Sequence, residues 1–146
     1  MFRTLMKTQP TWMTLPVRLA LGCIFIAHGA QKVFGVWGGK GLSAFIEGTA
    51  PFGLQPAWLW LGAAAFAELF GGLLVLLGLL TRFGALMIVP VMLVAMFGVH
   101  WGRFFLQDRG IEYTLALLAM ALALLIAGGG RISFDEALSD TRTRRR

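Results

Sequence analysis

Seven polar side chains lie within or beside the long apolar stretches of this chain of 146 residues. Placing an ionisable group in hydrocarbon costs several kcal/mol, so such residues are usually paired and often functional. An ammonium or imidazole group could hydrogen-bond a ligand carbonyl, and a carboxylate could relay a proton. The candidates for such chemistry are Arg18, His28, Gln31, Lys32, Glu68, His100 and Glu112.

The composition restricts the class of protein that carries these residues. The chain is 58% hydrophobic and only 14% charged, whereas an average soluble domain has about a quarter of its residues charged. The high hydrophobicity also excludes a disordered chain. Cys23 is the only cysteine, which excludes an internal disulfide, a CxxC redox pair and a cysteine-rich zinc site. We therefore predict that residues 1–146 form one integral membrane domain in a lipid bilayer.

Four apolar stretches are long enough to cross a membrane, which takes about 20 residues. They predict an all-α membrane protein, a four-transmembrane-helix up-down bundle. Only Thr81 and Arg82 separate the second stretch from the third, so these two stretches should form a tight helical hairpin. The predicted spans are about 15–36, 57–80, 83–101 and 111–128.

The long first loop, which follows the first span, also contains a short helical pattern. Glycines end the first span, and Leu42, Phe45 and Ile46 then follow at helical spacing. This pattern predicts a short interfacial helix, which would be either a lid over the mouth of the bundle or part of a plain connection.

Basic residues predict the orientation, because cytoplasmic loops carry an excess of Lys and Arg. Eight basic residues fall on the side of both termini and three on the other side. The termini should therefore be cytoplasmic, and the first and third loops exoplasmic. Residues 131–146 should form a basic cytoplasmic tail, which is better suited to anionic lipid headgroups than to nucleic acid.

Helix rise places most of the polar residues in the exoplasmic half of the bundle. Lys32 lies about 6 Å deep, His28 about 12 Å and Glu68 about 16 Å, while His100 and Glu112 lie within about 2 Å of the surface. His28 and Lys32 are four residues apart and share a helix face. A site with Glu68 at its floor is one interpretation.

Each candidate also has a purely structural interpretation. Lys32 and Glu68 could form a structural bridge. Arg18 could be an anchor near the cytoplasmic edge, and His100 and Glu112 could be a solvated rim. Two further patterns bear on the site. The small residues at 63, 67 and 71 should let another span approach the Glu68 face, and Phe25, Phe34, Trp37 and Phe66 could line a pocket.

The order of motifs resembles the DoxX family of small bacterial membrane proteins. The first span reads Arg18…Gly22…His28-Gly29-x-x-Lys32, and the second reads Glu68-x-x-Gly71-Gly72. The likeness extends through the Leu79–Gly84 turn to the polar start of the fourth span at Glu112. It implies a four-helix bacterial inner-membrane protein with a link to quinone or to thiol, sulfur and oxidative-stress redox chemistry. By the motif, His28, Lys32 and Glu68 are the expected catalytic residues, with Arg18 and Glu112 as further candidates; we add Gln31 and His100 as candidate ligand-binding residues.

Three classes of function follow from the residues and the resemblance. The first is a membrane component of a redox system, such as an oxidoreductase subunit, that handles a quinone or a small anion and works with membrane or soluble redox partner proteins. The second is a metal or haem site built from His28, His100, Glu68 and Glu112. The third is a non-catalytic scaffold that assembles with a partner or with a second copy of the chain.

Overall fold

The computed structural model of this protein describes residues 8–143, and its side chains as far as residue 139. This part of the chain is helical and contains no strand. The predicted short helix of the first loop is present. The helices are α1 (Thr14–Phe34), α2 (Gly41–Ile46), α3 (Ala57–Leu77), α4 (Thr81–Gly98), α5 (Glu112–Ala127) and α6 (Phe134–Thr143).

The four longest apolar helices pack in a ring, in the order α1, α3, α4, α5, with α5 returning to α1. Their inward side chains form one apolar core that includes Leu21, Phe25, Val75, Ile88 and Leu124. We call the end with residues 35–56 and 99–111 the loop end. The opposite end, with the α3–α4 hairpin and α6, is the terminal end.

Three of these helices, α1, α3 and α4, are long and apolar enough to cross a membrane. The chain is therefore a membrane protein with apolar helices suited to a lipid bilayer. The fourth helix, α5, is apolar but has only 16 residues, so it is shorter than the predicted span of 111–128. At 1.5 Å per residue it extends about 24 Å, somewhat less than the hydrocarbon core of a bilayer.

Glycines bring α1 and α3 into backbone contact along antiparallel paths. A Cβ atom on Gly29 would lie 2.5 Å from the backbone nitrogen of Leu69, and one on Gly22 would lie 2.7 Å from the Leu76 Cβ. From the other side, a Cβ on Gly72 would lie 2.8 Å from the Ile26 nitrogen. The absence of side chains at these positions lets two helices approach closely in a membrane.

The predicted row of small residues on α3 has a different role from the one we expected. Ala63 is exposed, so it does not line a close helix contact, and Ala67 is half-buried. Gly71 alone packs tightly, with its missing Cβ position 3.0 Å from the carbonyl oxygen of Gly84 in α4. The residues that set the close approach of α1 to α3 are Gly22 and Gly29 of α1 and Gly72 of α3.

The α3–α4 hairpin also corrects a prediction, because Thr81 and Arg82 belong to the first turn of α4 and do not form the connection. The chain turns at residues 78–80. Gly78 ends α3 in the left-handed region at φ 66°, and the Leu79 N–H donates to the Leu74 carbonyl oxygen at 3.0 Å. Leu80 also has a positive φ, 46°, which is unfavourable for a side chain of this size.

Asp135 on α6 holds this strained turn in place. Its carboxylate accepts hydrogen bonds from the Leu80 N–H (2.8 Å), the Thr81 N–H (2.9 Å) and the Thr81 hydroxyl (2.8 Å). An acidic side chain in this position satisfies the free N–H groups at the start of α4 and interacts favourably with the helix dipole. The segment expected as a basic tail thus contains a docked helix, and residues 144–146 of that tail lie outside the described part.

We expect Asp135→Ala to lower the free energy of unfolding by about 2 kcal/mol, because the variant leaves buried N–H groups at Leu80 and Thr81 without an acceptor. The measurement is reversible unfolding in mild detergent. Ser139→Ala on the exposed side of α6 is the matched control and should change stability by less than about 0.5 kcal/mol. Equal stability of the two variants would mean that α6 does not support the hairpin.

Candidate functional site

Lys32 and Glu68 form an ion pair between α1 and α3. The Lys32 Nζ contacts both carboxylate oxygens of Glu68. The Glu68 side chain is 4% exposed and that of Lys32 is 26% exposed, so the pair opens toward the surface through the lysine. The glycine contact between Gly29 and Leu69 places the two backbones close enough for this bridge.

The loop end covers this pair with the short helix α2, which packs against both α1 and α3. The Lys32 Nζ lies 5.5 Å from the centre of the Phe45 ring, a cation–π distance. On the same helix, Ile46 approaches Gly62 of α3, whose Cβ position would be 3.8 Å from the Ile46 Cγ2. The lysine is therefore bound by a carboxylate on one side and an aromatic face on another.

The connection before α2 is fixed against the end of α1. The Gln31 Nε2 donates a hydrogen bond to the Trp37 carbonyl oxygen at 3.2 Å. Gly39 packs directly on the Gln31 backbone, where a Cβ atom would clash with the carbonyl oxygen. Gln31 thus orders the connection between α1 and α2. It precedes Lys32 in the sequence, but the hydrogen bond of its side chain is to Trp37 and not to the ion pair.

His28, the third residue that the motif singles out, does not join the ion pair inside the bundle. Its side chain is exposed on the outer surface of α1. Two residues four apart differ by about 40° around a helix, so one can face a neighbouring helix while the other lies at the edge of that contact. His28 therefore occupies the lipid-facing side, one helical turn from Lys32.

His100 and Glu112 order the third loop at the loop end. The His100 Nδ1 lies 2.7 Å from the Arg109 carbonyl oxygen, so this nitrogen carries the proton and donates. The Glu112 Oε2 accepts a hydrogen bond from the Leu106 N–H at 2.9 Å. Both side chains bond to backbone groups of their own loop and are separate from the Lys32–Glu68 pair.

Arg18 lies at the terminal end and is 2% exposed, so it does not extend to the membrane surface as an anchor would. Its guanidinium group donates to the carbonyl oxygens of Gly129 (2.7 Å), Ile132 (3.0 Å), Val75 (3.2 Å) and Leu76 (3.4 Å). These bonds join the end of α3 to the segment after α5. Arg18 is 14 residues from Lys32, about 21 Å along the helix.

The geometry bears on two further expectations. In residues 8–143, no group of three or more His, Cys, Asp or Glu side chains comes close enough to hold a metal ion, so the four residues considered for metal or haem do not form such a group. Of the four expected lining aromatics, Phe25 belongs to the core, while Phe34, Trp37 and Phe66 are exposed. The aromatic ring at the site is instead that of Phe45.

The role of Phe45 was not predicted, although its helix was. The spacing of Leu42, Phe45 and Ile46 indicated a helix, but only the return of the loop onto α1 and α3 shows which of them meets Lys32. Chemically, the site offers one ammonium group as a hydrogen-bond donor, one carboxylate as a proton acceptor and an aromatic face. Such a set suits a flat, polar-edged ligand with a carbonyl or hydroxyl oxygen.

We expect Phe45→Leu to make Lys32 more reactive toward an amine-modifying reagent, because the variant removes the aromatic face and keeps an apolar side chain. The loss of a cation–π contact should cost about 0.5–1 kcal/mol of stability. Peptide mass spectrometry would compare modification of Lys32 with that of Lys40. Leu42→Ala, on the same short helix, is the control, and an equal rise in that variant would contradict a specific role for Phe45.

The comparisons with known proteins agree with the sequence and the fold. The DoxX family model matches residues 13–101, which include α1 to α4 and the Lys32–Glu68 pair. An uncharacterised protein of Haemophilus influenzae is 31% identical over 124 residues, covering 83% of this chain and 80% of the relative. A Bacillus subtilis protein named "Putative oxidoreductase CatD" is 32% identical over 111 residues, covering 76% of this chain and 77% of the relative.

No solved structure matches the chain significantly. The family model covers more than half of the residues of this chain. Both relatives align with this chain over most of their own length. The resemblance noted from the Arg18, His28, Lys32 and Glu68 motifs is thereby confirmed. This protein belongs to the DoxX family.

Proposed function

We propose that this protein is a four-span inner-membrane component of a redox system, and that the Lys32–Glu68 pair binds a quinone. The observation that carries the proposal is an ion pair in an apolar bundle, with a buried carboxylate and a partly exposed ammonium group. Ionisable residues at such depth are costly and are usually retained for a ligand or proton path. The relative named as an oxidoreductase supports the redox class.

The four-span topology rests on α5 together with the residues around it. A helix of 16 residues crosses the bilayer if the flanking glycines and the adjacent loop extend its apolar length, or if the bilayer thins slightly. The bias of basic residues toward the terminal end supports a cytoplasmic position for that end. The Lys32–Glu68 pair then lies in the exoplasmic half of the membrane.

The proposed chemistry uses three features of the site. The Lys32 ammonium group donates a hydrogen bond to a quinone carbonyl oxygen and stabilises the negative charge that develops there on reduction. Glu68 keeps the lysine in position and accepts or returns a proton. His28, exposed one turn away on the same helix, provides the bound quinone with a second hydrogen-bond partner.

The electron donor in this proposal is a thiol or reduced sulfur compound on a partner, because this chain has a single cysteine and cannot form an internal disulfide. Two thiols and one quinone give one disulfide and one quinol, which balances two electrons and two protons. The thiols belong to the partner, and the quinone that this chain holds oxidises them.

The test is to purify the full chain in mild detergent, identify co-extracted lipids by mass spectrometry, and titrate short-chain benzoquinone and naphthoquinone analogues. We expect a bound quinone and saturable binding. Absence of quinone from the extract together with no binding of either analogue would contradict the proposal. In that case the scaffold role, in which the ion pair is only a structural bridge, would be favoured.

His28→Ala separates binding from folding. The side chain is exposed, so we expect the free energy of unfolding to change by less than about 0.5 kcal/mol. Quinone affinity should fall about tenfold, equivalent to about 1.4 kcal/mol, through loss of one hydrogen bond. Isothermal titration in detergent measures the affinity. Cys23→Ala, another exposed position on α1, is the control and should bind as the unmodified protein does.

A further inference from the structure

Helix α6 is unlike the other long helices, because it cannot cross a membrane yet exposes large apolar side chains. Its ten residues include four charged ones, at positions 135, 136, 140 and 142. It begins seven residues after the end of α5, so it lies at the terminal end of the bundle. A short helix with one polar and one apolar side, next to a spanning helix, is typical of a membrane-surface segment.

One side of α6 is docked onto the protein. Asp135 is 1% exposed and bonds to the start of α4, and its own N–H donates to the Gly78 carbonyl oxygen at 2.9 Å. Glu136 accepts a hydrogen bond from the Ile132 N–H at 3.0 Å, and its N–H donates to the Ser133 hydroxyl. Both acidic groups near the start of α6 are thus used within the protein.

The other side of α6 is apolar and open. Phe134 is 54% exposed and Leu138 is 42% exposed; they are four residues apart and so share one face. Ile132, just before the helix, is 62% exposed. Together with Trp12 and Arg131, these residues make up what we call the terminal surface.

Basic and aromatic groups border these apolar side chains. The Arg131 guanidinium lies 5.8 Å from the centre of the Trp12 ring, and Trp12 is 55% exposed. Tryptophan and arginine are the residues that accumulate where spanning helices meet the headgroups. The sequence then ends with further arginines, at positions 142, 144, 145 and 146. This charge is complementary to anionic lipid.

We propose that the terminal surface binds an anionic lipid surface, with Ile132, Phe134 and Leu138 inserted among the acyl chains and Arg131 at the headgroups. The occupant is the leaflet that surrounds the terminal end of the bundle. Docking through Asp135 fixes the orientation of the helix, so that its apolar face meets the lipid. The proposal is independent of the quinone site, which lies at the opposite end.

The experiment places nitroxide labels on α6 in the full chain. Leu138→Cys and Ser139→Cys are each made in a Cys23→Ala background and reconstituted in vesicles of phosphatidylcholine, with or without phosphatidylglycerol. Oxygen reports contact with the acyl chains, and a water-soluble nickel chelate reports contact with solvent. Positions 138 and 139 are about 100° apart on the helix, so each label is the control for the other.

We expect the ratio of oxygen to nickel collisions to be severalfold higher at 138 than at 139 in vesicles that contain phosphatidylglycerol. This ratio at 138 should fall when that lipid is omitted, or when Arg131 and Arg144–Arg146 are replaced by Gln. A water-exposed label at 138 overturns the proposal. So does a label shielded from both reagents, which would indicate a protein partner, and so does equal insertion with and without phosphatidylglycerol.

Discussion

Replacing Glu68 by Leu alone should lower the free energy of unfolding by about 3 kcal/mol, whereas Lys32→Met combined with Glu68→Leu should restore most of that stability. The single variant leaves the Lys32 charge without its partner between α1 and α3, and removal of one member of a buried pair typically costs about 3–5 kcal/mol. The low end applies because the lysine is 26% exposed and is partly solvated. An apolar pair of similar volume removes both charges at once.

The measurement is unfolding of each variant in the same detergent, monitored by circular dichroism. Lys32→Met alone completes the cycle and gives the coupling energy of the pair. We expect a coupling of about 2 kcal/mol, which lies within the range of about 0.5–3 kcal/mol for residues in direct contact. If the two single variants have additive effects, the ion pair contributes nothing to stability, and the bridge between α1 and α3 is not maintained in the folded protein.

Gly29→Ala should destabilise the protein by about 2 kcal/mol, although alanine is the better helix former. Its new Cβ would lie 2.5 Å from the nitrogen and 2.6 Å from the Cα of Leu69, so the backbone of α3 must move. Overpacking of this kind typically costs about 1–3 kcal/mol, and the displaced atoms are main chain, which does not yield easily. The shift would also stretch the Lys32–Glu68 contact, since Lys32 lies one turn beyond Gly29.

Gly62→Ala is a matched control for this variant, because it makes the same change inside a helix of the same bundle. A Cβ at Gly62 would have its nearest neighbour, the Ile46 Cγ2, at an ordinary distance of 3.8 Å. This variant should be neutral or gain as much as about 1 kcal/mol from helix propensity. If both glycine variants were equally stable, close backbone contact between α1 and α3 would not be what positions the ion pair.

The apolar helices and the short helix of the first loop could be predicted from the sequence, because hydrophobic length and spacing are local properties. The closeness in depth of Lys32 and Glu68 also indicated that they could pair. The position of His28 could not be predicted in the same way. Sharing a helix face with Lys32 leaves a difference of about 40°, and the packing of α1 on α3 decides which of the two faces inward.

The contacts at the terminal end depend on residues far apart in the chain, so local patterns did not indicate them. Nothing near Asp135 shows that it binds the start of α4, more than 50 residues earlier. The Ser133-x-x-Glu136 sequence, however, is a helix-start pattern and would have predicted α6 within the expected tail. Arg18 similarly bonds to carbonyl oxygens of α3 and of the segment after α5.

The most direct test of the quinone site is the affinity of the Lys32→Met, Glu68→Leu double variant for a short-chain quinone, measured by titration beside the unmodified chain. The variant is chosen to remain folded, so a loss of affinity reports the site itself. We predict that saturable binding disappears while the unfolding free energy stays close to that of the unmodified protein. Unchanged quinone binding by the folded double variant would contradict the proposal that the Lys32–Glu68 pair is the quinone site.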